Sequence, residues 1–428
     1  MVVGIMVGSG IFRTPGLVAR DLGRPGLVLL VWVAGGALAF MGALLFAELA
    51  TRLPRAGGKY VYAREAFGPR AGFVVGWVEG LGIYPTAIAA IAVVCGEYLV
   101  RIAAPPDGRM AGMSEVLARV AGVAMIVLFT AINLVGVASG RWVQNVVTAA
   151  KVLALGGVVV MALAGGSGAG WSGALPGAPA GAAVWGALAV AFQAVIWTYY
   201  GYADAAKIAE EVVEPRRTLP RVLLGGITLV TALYLLLNAA FLHVLPLERL
   251  AASNLAAGDV ADALFGGAGA AILAVIALLV VLASLNGNVF VTPRVLFGLA
   301  RDGLGPAALT RVNRGGTPWA AMLAVGVVAS GLAATGTFEK LLGLVVALVL
   351  MIDGFAVVAL FPLRARAAGA PFRAPLGAVL PAVFVAVYAA LLVGILVTAP
   401  ATVGLAVAVL GIAYLLGKGE AGSGKGKA

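Results

Sequence analysis

Several stretches of this chain are long enough to cross a bilayer and contain no charged residue. Three of them are 27–47, 263–293 and 374–417. A helix needs about 20 apolar residues to span the hydrocarbon core, so each stretch accommodates at least one crossing and the last accommodates two. Charged residues make up 11% of the chain, against about 25% in soluble domains. These patterns predict an all-α integral membrane protein.

Turn-rich or charged loops divide the chain into about 12 apolar segments. If the N-terminus is cytoplasmic, most of the 29 Lys and Arg residues fall in cytoplasmic loops, as the positive-inside rule requires. The net charge of +11 then reflects topology, and no nucleic-acid partner is predicted. We expect a multi-pass protein of the cytoplasmic or plasma membrane with both termini in the cytoplasm. The Gly- and Lys-rich stretch 418–428 is predicted to be a disordered tail.

The beginning of the chain carries no basic region or processing site, so no cleavable signal peptide is predicted. Residue 1 lies close to an interruption at Gly8, and we therefore expect part of the first helix's cytoplasmic lead to be missing. The chain has one cysteine, Cys95, and one histidine, His243, which argues against a disulfide framework or a metal centre of these residues. It has no phosphate-cradling GxxxxGK[ST] loop. No cofactor and no metal are predicted.

The first apolar segment is interrupted by the sequence "MVGSGIFRTPG" at 6–16, in which Gly8, Ser9 and Gly10 follow one another. Glycine weakens a helix interior by about 1 kcal/mol relative to alanine. An unpaired backbone group inside a membrane costs several kcal/mol more. A ligand that completes these hydrogen bonds would explain the break. A small-residue cluster for helix packing is the alternative.

A second interruption lies in the sixth segment, where the polar and aromatic run Trp197–Tyr202 is followed by Asp204. Interrupted segments at matching positions of two halves are typical of inverted-repeat transporters. The amide end of one half-helix favours an anion and the carbonyl end of another favours a cation. The two breaks together predict a receptor for an α-amino acid zwitterion.

Five motifs carry a resemblance to a known family. They are "VGSGIF" at Val7–Phe12, "GALLFAELATRLPRAGGKYVYAREAFG" at Gly42–Gly68, "RWVQNVVTAAKVLAL" at Arg141–Leu155, "EEVVEPRRTLPR" at Glu210–Arg221 and "SLNGNVFVTPRVLFGLARDGLGP" at Ser284–Pro306. With these motifs the chain resembles the amino acid–polyamine–organocation (APC) transporters. It is most similar to their L-type amino acid transporter branch and to bacterial amino acid permeases.

The resemblance implies the LeuT-like fold of two inverted five-helix repeats, with helices 1 and 6 broken at the midplane. The expected parts are a first repeat at 1–165, a second at 182–362, two further helices at 375–417 and the tail at 418–428.

The resemblance also implies the binding residues, which are Met6, Gly8, Ser9, Gly10, Trp197, Tyr199, Tyr200 and Gly201. The substrate carboxylate would bind backbone amides around Ser9 and Gly10, with the Ser9 hydroxyl close by. The α-amino group would bind carbonyls near Met6, Trp197 and Tyr200. Trp197 would also close over the substrate as an outer gate and could add a cation–π contact.

Lys151 lies within an apolar segment, where a charged residue is costly and usually functional. In sodium-coupled transporters of this fold, Na⁺ binds between segments one and eight, and the resemblance places the Lys151 amine there. An ammonium in place of the ion implies sodium-independent transport. Proton exchange by this lysine, or a lysine that snorkels to the membrane surface, are alternatives.

The family often has glycine and asparagine where this chain has Tyr200 and Ala203, which predicts a bulkier, more aromatic pocket wall. Asp204 and Tyr202 are candidates for recognition of the substrate side chain. Asp204 could also move protons, or pair with Lys207 at i,i+3. Two further acidic residues, Glu48 and Glu79, are expected to be structural partners of loop arginines.

Together these patterns predict a sodium-independent secondary transporter of amino acids, working by alternating access as an exchanger or a proton symporter. The expected partners are an amino acid, the lipid bilayer and, for a symporter, H⁺; the protein would be a monomer or a weak homo-oligomer. A polyamine or cationic amino acid transporter is the first alternative, favoured by Asp204. A membrane amino acid sensor is the alternative from another class. No enzyme activity is predicted, since the apolar segments lack clustered acid–base groups.

Overall fold

The computed structural model describes residues 2–55, 57–103, 113–135, 140–203, 212, 214–366 and 372–423. Within these ranges the backbone is helical apart from short connections, and no strand occurs. Hydrocarbon offers no water to pair with backbone polar groups, so an apolar chain satisfies them within helices. The predicted all-α class is confirmed.

The helices are numbered in chain order. The first eight are α1 Val2–Met6, α2 Gly10–Leu22, α3 Pro25–Arg52, α4 Lys59–Phe67, α5 Pro69–Trp77, α6 Tyr84–Ala103, α7 Ser114–Val135 and α8 Gly140–Gly165. The others are α9 Ala183–Tyr199, α10 Pro215–Val244, α11 Leu247–Ala252, α12 Ala256–Val291, α13 Pro293–Arg301, α14 Trp319–Thr335, α15 Phe338–Val358, α16 Leu360–Arg366, α17 Val379–Thr398 and α18 Pro400–Ser423. A π-helical turn, Val78–Ile83, joins α5 to α6, and a 3₁₀ turn spans Ala307–Thr310.

Membrane-length helices dominate the described residues. Nine helical stretches there are long and apolar enough to cross a membrane. The helices α9 and α14 are apolar but shorter, and the first apolar segment is divided into α1 and α2. The multi-pass architecture is therefore confirmed. The count of 12 crossings and the division into two inverted repeats stay predictions.

The helices differ in how deeply they lie in the bundle. The joined helices α5 and α6 are almost wholly buried, whereas α7, α17 and α18 expose most of their surface. The exposed positions carry large apolar side chains such as Val127, Val397 and Leu415. A helix that is apolar on all sides belongs in a core or in lipid. These outer helices therefore face the lipid, and α6 forms part of the centre.

Both predicted interruptions are present. Residues 7–9 separate α1 from α2, and Tyr200 and Gly201 leave the helical conformation after α9. The helix α2 packs against α9, while α1 packs against α8, α10 and α12. The two breaks thus lie side by side in the interior of the bundle.

The last helix is longer than the sequence predicts. It continues to Ser423, so 418–423 do not belong to a disordered tail, and 424–428 lie outside the described residues. No proline follows Pro400, so nothing in the sequence blocks the backbone ladder. Extending a formed helix costs much less than starting one.

Candidate functional site

The first interruption leaves backbone amides without helical partners. The Val7 amide still donates to the Val3 carbonyl, at 2.9 Å. Across the described part of the chain, the amides of residues 8–11 donate to no backbone carbonyl. They lie at the N-terminus of α2, where free amides and the helix dipole favour an anion.

The second interruption presents the opposite polarity. Tyr200 is extended, with φ −62° and ψ 148°. Gly201 has φ 110°, which glycine adopts without a steric penalty. The chain therefore leaves the axis of α9 abruptly. Among the described residues, the Trp197 carbonyl is the only one of the last turn that accepts a backbone amide beyond the helix, that of Tyr200 at 3.2 Å. The free carbonyls of such a helix end favour a cation.

A close contact between α2 and α9 holds the two breaks together. The hydroxyls of Thr14 and Thr198 share a hydrogen bond of 2.8 Å. A Cβ atom on Gly10 would lie 2.8 Å from Thr198 Oγ1 and 2.9 Å from Thr198 Cα. Because backbone cannot yield as a flexible side chain does, this position requires glycine.

Replacing Gly10 with alanine is therefore expected to destabilise the protein by about 1–3 kcal/mol, the usual cost of overpacking a close contact. Thermal unfolding of the detergent-solubilised protein would measure the loss as a lower melting temperature. Gly8→Ala is the matched control, since its new Cβ would meet Ser284 Oγ at an ordinary 3.6 Å. Equal melting temperatures for the two variants would contradict the proposed packing role of Gly10.

A pocket opens between the two breaks. Its lining residues are Met6, Gly8, Ser9, Gly10, Tyr84, Ala87, Ile91, Trp197, Thr198, Tyr200, Gly201, Ser284 and Asn288. None of these carries a charge. Two lining atoms, Ser9 Oγ and Trp197 Nε1, are buried and have no hydrogen-bond partner within the described residues. Buried polar atoms are normally paired, so both are available to a ligand.

The Met6 carbonyl lies at the end of α1, beside the first break. It accepts a hydrogen bond of 2.8 Å from the hydroxyl of Tyr234 in α10. A carbonyl oxygen has two lone pairs, so one remains for a second donor. Tyr234 in turn packs against the rings of Trp32 and Tyr199. This aromatic cluster fixes the position of the α1 end.

Lys151 lies beside the first break, where the family resemblance placed it. Its side chain is buried. The ammonium nitrogen donates to Ser284 Oγ at 2.7 Å, to the Val7 carbonyl at 3.3 Å and to the Gly4 carbonyl at 3.4 Å. The Ser284 hydroxyl also donates to the Val7 carbonyl, at 3.1 Å. The Lys151 amine therefore joins α8, α12 and the end of α1.

Most of the predicted binding residues line the pocket, but two tyrosines lie elsewhere. Tyr199 is buried against α3, and its hydroxyl donates to the Trp32 carbonyl at 3.2 Å. The Tyr202 hydroxyl shares a hydrogen bond of 3.3 Å with that of Tyr388. Neither residue is part of the pocket lining. Asp204 and Lys207 lie outside the described residues, so the candidate roles of Asp204 stay predictions.

Several pocket residues were not predicted from the sequence. Ala87 and Ile91 belong to α6, Thr198 to α9, and Ser284 and Asn288 to α12. Ser284 and Asn288 are four residues apart, hence on one helix face. Polar residues on one face of an apolar segment were the signal that could have identified this pair. Ala87 and Ile91 resemble any other apolar residue in a membrane helix.

Charged clusters join helices outside the pocket lining. Arg13 of α2 is buried, and its guanidinium pairs with Glu339 at 2.8 Å and with Glu97 at 3.6 Å. Glu48 pairs with two arginines, as expected; Arg52 ends α3 and Arg364 lies in α16. None of these residues belongs to the pocket lining.

The prediction that Glu79 pairs with a loop arginine is wrong about the partner. Glu79 pairs with a lysine, Lys59 at 3.2 Å, and the same ammonium pairs with Asp353 at 2.6 Å. The pairing is long-range, and no spacing in the sequence indicates it.

Opposed helix ends around an uncharged pocket, inside a bundle of membrane-length helices, define a membrane protein built around a small-molecule site, as in secondary transporters. The family model for amino acid permeases matches residues 1–415. The chain therefore belongs to the amino acid permease family.

Individual relatives agree with this assignment. The serine/threonine exchanger SteT of Bacillus subtilis is 29% identical over 86% of this chain and 82% of its own length. The human b(0,+)-type amino acid transporter 1 is 30% identical over 77% of this chain and 67% of its own length. The rabbit (Oryctolagus cuniculus) large neutral amino acids transporter small subunit 2 is 30% identical, and the match covers 73% of this chain and 58% of that protein.

Proposed function

We propose that this permease carries α-amino acids across the cell membrane by alternating access, with both termini in the cytoplasm. The observation that carries the proposal is the pairing of free amides at residues 8–11 with the open carbonyl end of α9 across one pocket. The first group suits the substrate carboxylate and the second its ammonium. The unpaired Ser9 hydroxyl would complete the carboxylate site, and Trp197 would close over the bound substrate.

The transport is proposed to be independent of sodium. In this proposal the Lys151 ammonium does the work of a bound cation, because it donates to the carbonyls of Gly4 and Val7 at the end of α1. The amine stays at these carbonyls throughout the cycle, so no Na⁺ need enter with the substrate.

The substrate class that fits best is a neutral amino acid. The part of the pocket beyond the two breaks is formed by Tyr84, Ala87, Ile91, Ser284 and Asn288. A cationic side chain there would be buried without a counter-charge, which is costly. The relatives named for serine and threonine and for large neutral amino acids support the same class. The alternative of a cationic substrate depends on Asp204.

Uptake into proteoliposomes tests the proposal. Radiolabelled L-serine, L-leucine, L-lysine and putrescine would be offered in sodium-free buffer, with vesicles either empty or preloaded with unlabelled amino acid. We expect serine or leucine to enter, with preloading increasing the rate if the protein exchanges. Uptake of lysine or putrescine alone would favour the cationic alternative. A strict need for Na⁺ would contradict the role given to Lys151, and binding without accumulation would favour a sensor.

A further inference from the structure

A buried cluster of ionisable side chains lies next to the pocket and has no part in the substrate site. Lys59 begins α4, Glu79 lies in the π-helical turn and Asp353 lies within α15; these three side chains are at most 2% exposed. π-helical turns occur frequently at functional sites. Ionisable residues within membrane helices are rare and generally serve transport.

Within the cluster, the Glu79 carboxylate is held less closely by Lys59 than the Asp353 carboxylate is. Its Oε1 atom lies 3.2 Å from Lys59 Nζ, but that nitrogen is nearer to Asp353, at 2.6 Å. Both carboxylate oxygens of Glu79 are buried and accept no hydrogen bond within the described residues. The neighbouring Tyr62 hydroxyl, which lies in the electrostatic field of Glu79, is likewise buried without a partner in that part of the chain. A buried carboxylate that accepts no hydrogen bond is costly in its charged form, so it is a candidate to bind a proton.

Among the residues that the structure describes, the other titratable groups that interact with the cluster are phenols. Tyr200 is held by Lys59, and Tyr202 and Tyr388 interact with Asp353. Phenols ionise near pH 10, so these groups stay neutral at physiological pH. The exchangeable proton of the cluster therefore falls to a carboxylate.

One contact connects the cluster to the substrate pocket. Lys59 Nζ donates to the Tyr200 hydroxyl at 3.0 Å, and the ammonium lies 5.1 Å from the centre of the Tyr200 ring. Tyr200 is the first residue of the second break and lines the pocket. Movement of this segment during transport would shift Lys59. Because the nearer partner of Lys59 is Asp353, Glu79 would then lose the only cation that it contacts among the described residues.

We propose that Glu79, with Lys59 and Asp353, forms a proton-binding site that couples amino acid movement to H⁺ through Tyr200. Glu79 takes up one proton from one side of the membrane when Lys59 leaves it. It releases that proton to the other side when Lys59 returns. No bond other than O–H forms or breaks, and no co-reactant is needed. The inference rests on the proposed amino acid transport and makes the protein a proton symporter.

The experiment measures proton movement and amino acid movement in the same vesicles. The full chain is reconstituted in sodium-free liposomes that contain a pH-sensitive dye, with the membrane potential clamped. L-serine or L-leucine is then added outside. We expect the lumen to acidify as the amino acid enters. A gradient of one pH unit, acid outside, should drive accumulation of up to about tenfold, since a one-proton symporter gains 1.36 kcal/mol per unit.

Glu79→Gln should separate the two movements. It keeps the shape of the side chain but cannot bind an exchangeable proton. We expect exchange of external for preloaded amino acid to remain within about twofold of the unmodified protein, while acidification and accumulation are lost. Glu115→Gln is the matched control, because Glu115 is exposed and pairs only with Arg119 among the described residues. That variant should keep all three activities.

The outcomes distinguish this inference from the proposed function. Amino acid exchange without acidification in the unmodified protein would overturn the proton site and leave the permease assignment standing. Acidification by Glu79→Gln would also overturn it. No amino acid movement at all would overturn the proposed function itself. Should Glu79→Gln fail to fold, Asp353→Asn is the second test, because it leaves Glu79 permanently paired with Lys59. This variant should exchange amino acids without acidifying the lumen. Acidification by Asp353→Asn would refute the proposal.

Discussion

Replacing Lys151 with alanine is expected to lower amino acid uptake by roughly 10- to 100-fold while leaving the protein folded. The ammonium donates to Ser284 Oγ and to the carbonyls of Val7 and Gly4. Hydrogen bonds to a charged group contribute about 1.5–3 kcal/mol, and 1.4 kcal/mol corresponds to a factor of ten. Without these hydrogen bonds, the end of α1 loses its fixed orientation beside the free backbone amides of residues 8–11.

Initial rates of uptake into proteoliposomes, with Na⁺ and with choline in its place, would measure this effect. The unmodified protein should transport equally well in both buffers. Lys340→Ala removes a lysine of α15 whose side chain is exposed, and it should transport normally. Two results would count against the role of Lys151: full uptake by Lys151→Ala, or a loss of monodispersity on size exclusion that shows a purely structural role.

The two breaks could be predicted from the sequence because glycine and polar residues follow one another inside otherwise apolar segments. Gly8, Ser9 and Gly10 weaken a helix where lipid would penalise every free amide. The run that contains Gly201 does the same after Trp197. Both signals involve adjacent residues, so no knowledge of the tertiary fold was needed. The position of Lys151 came from the family resemblance and agrees with the structure.

The directions in which individual tyrosine side chains point could not be predicted from the sequence. Side-chain direction follows the helical period only while the helix continues, and the helix α9 ends at Tyr199. Tyr199 therefore points into the aromatic cluster with Trp32, while Tyr200 turns to the pocket. The contribution of α6 was equally hidden, because Ala87 and Ile91 have no polar atom to distinguish a pocket wall from a packed interface.

The ion pairs between distant helices were the least accessible part of the site. The sequence indicated that Glu48 would be structural, and the structure shows two arginines around it. It gave the same expectation for Glu79, whose partner is a lysine of α4. A charge within an apolar helix must find a counter-charge, but the identity of that partner depends on how the helices pack.

Replacing Glu48 with glutamine is expected to cost about 3–5 kcal/mol of stability, the usual effect of removing one partner from a buried ion pair. Glu48 is fully buried. Its two oxygens accept bonds from Arg52 at 2.9 Å, from Arg364 at 2.5 and 2.9 Å, and from the Ala374 amide at 2.9 Å. A neutral amide deprives Arg364 of the carboxylate that it contacts among the described residues and weakens the contact with Arg52. The melting temperature of the solubilised protein should fall well below that of the exposed control Glu115→Gln.

A double variant tests whether the loss comes from the unpaired charge. Glu48→Gln combined with Arg364→Gln removes the carboxylate together with the arginine that holds it most closely, so part of the stability should return. Arg364 also donates to the Gly377 carbonyl at 2.6 Å, which limits the recovery. A double variant less stable than either single variant would show that Glu48 and Arg364 act independently. The carboxylate would then stabilise the fold through Arg52 and the Ala374 amide instead.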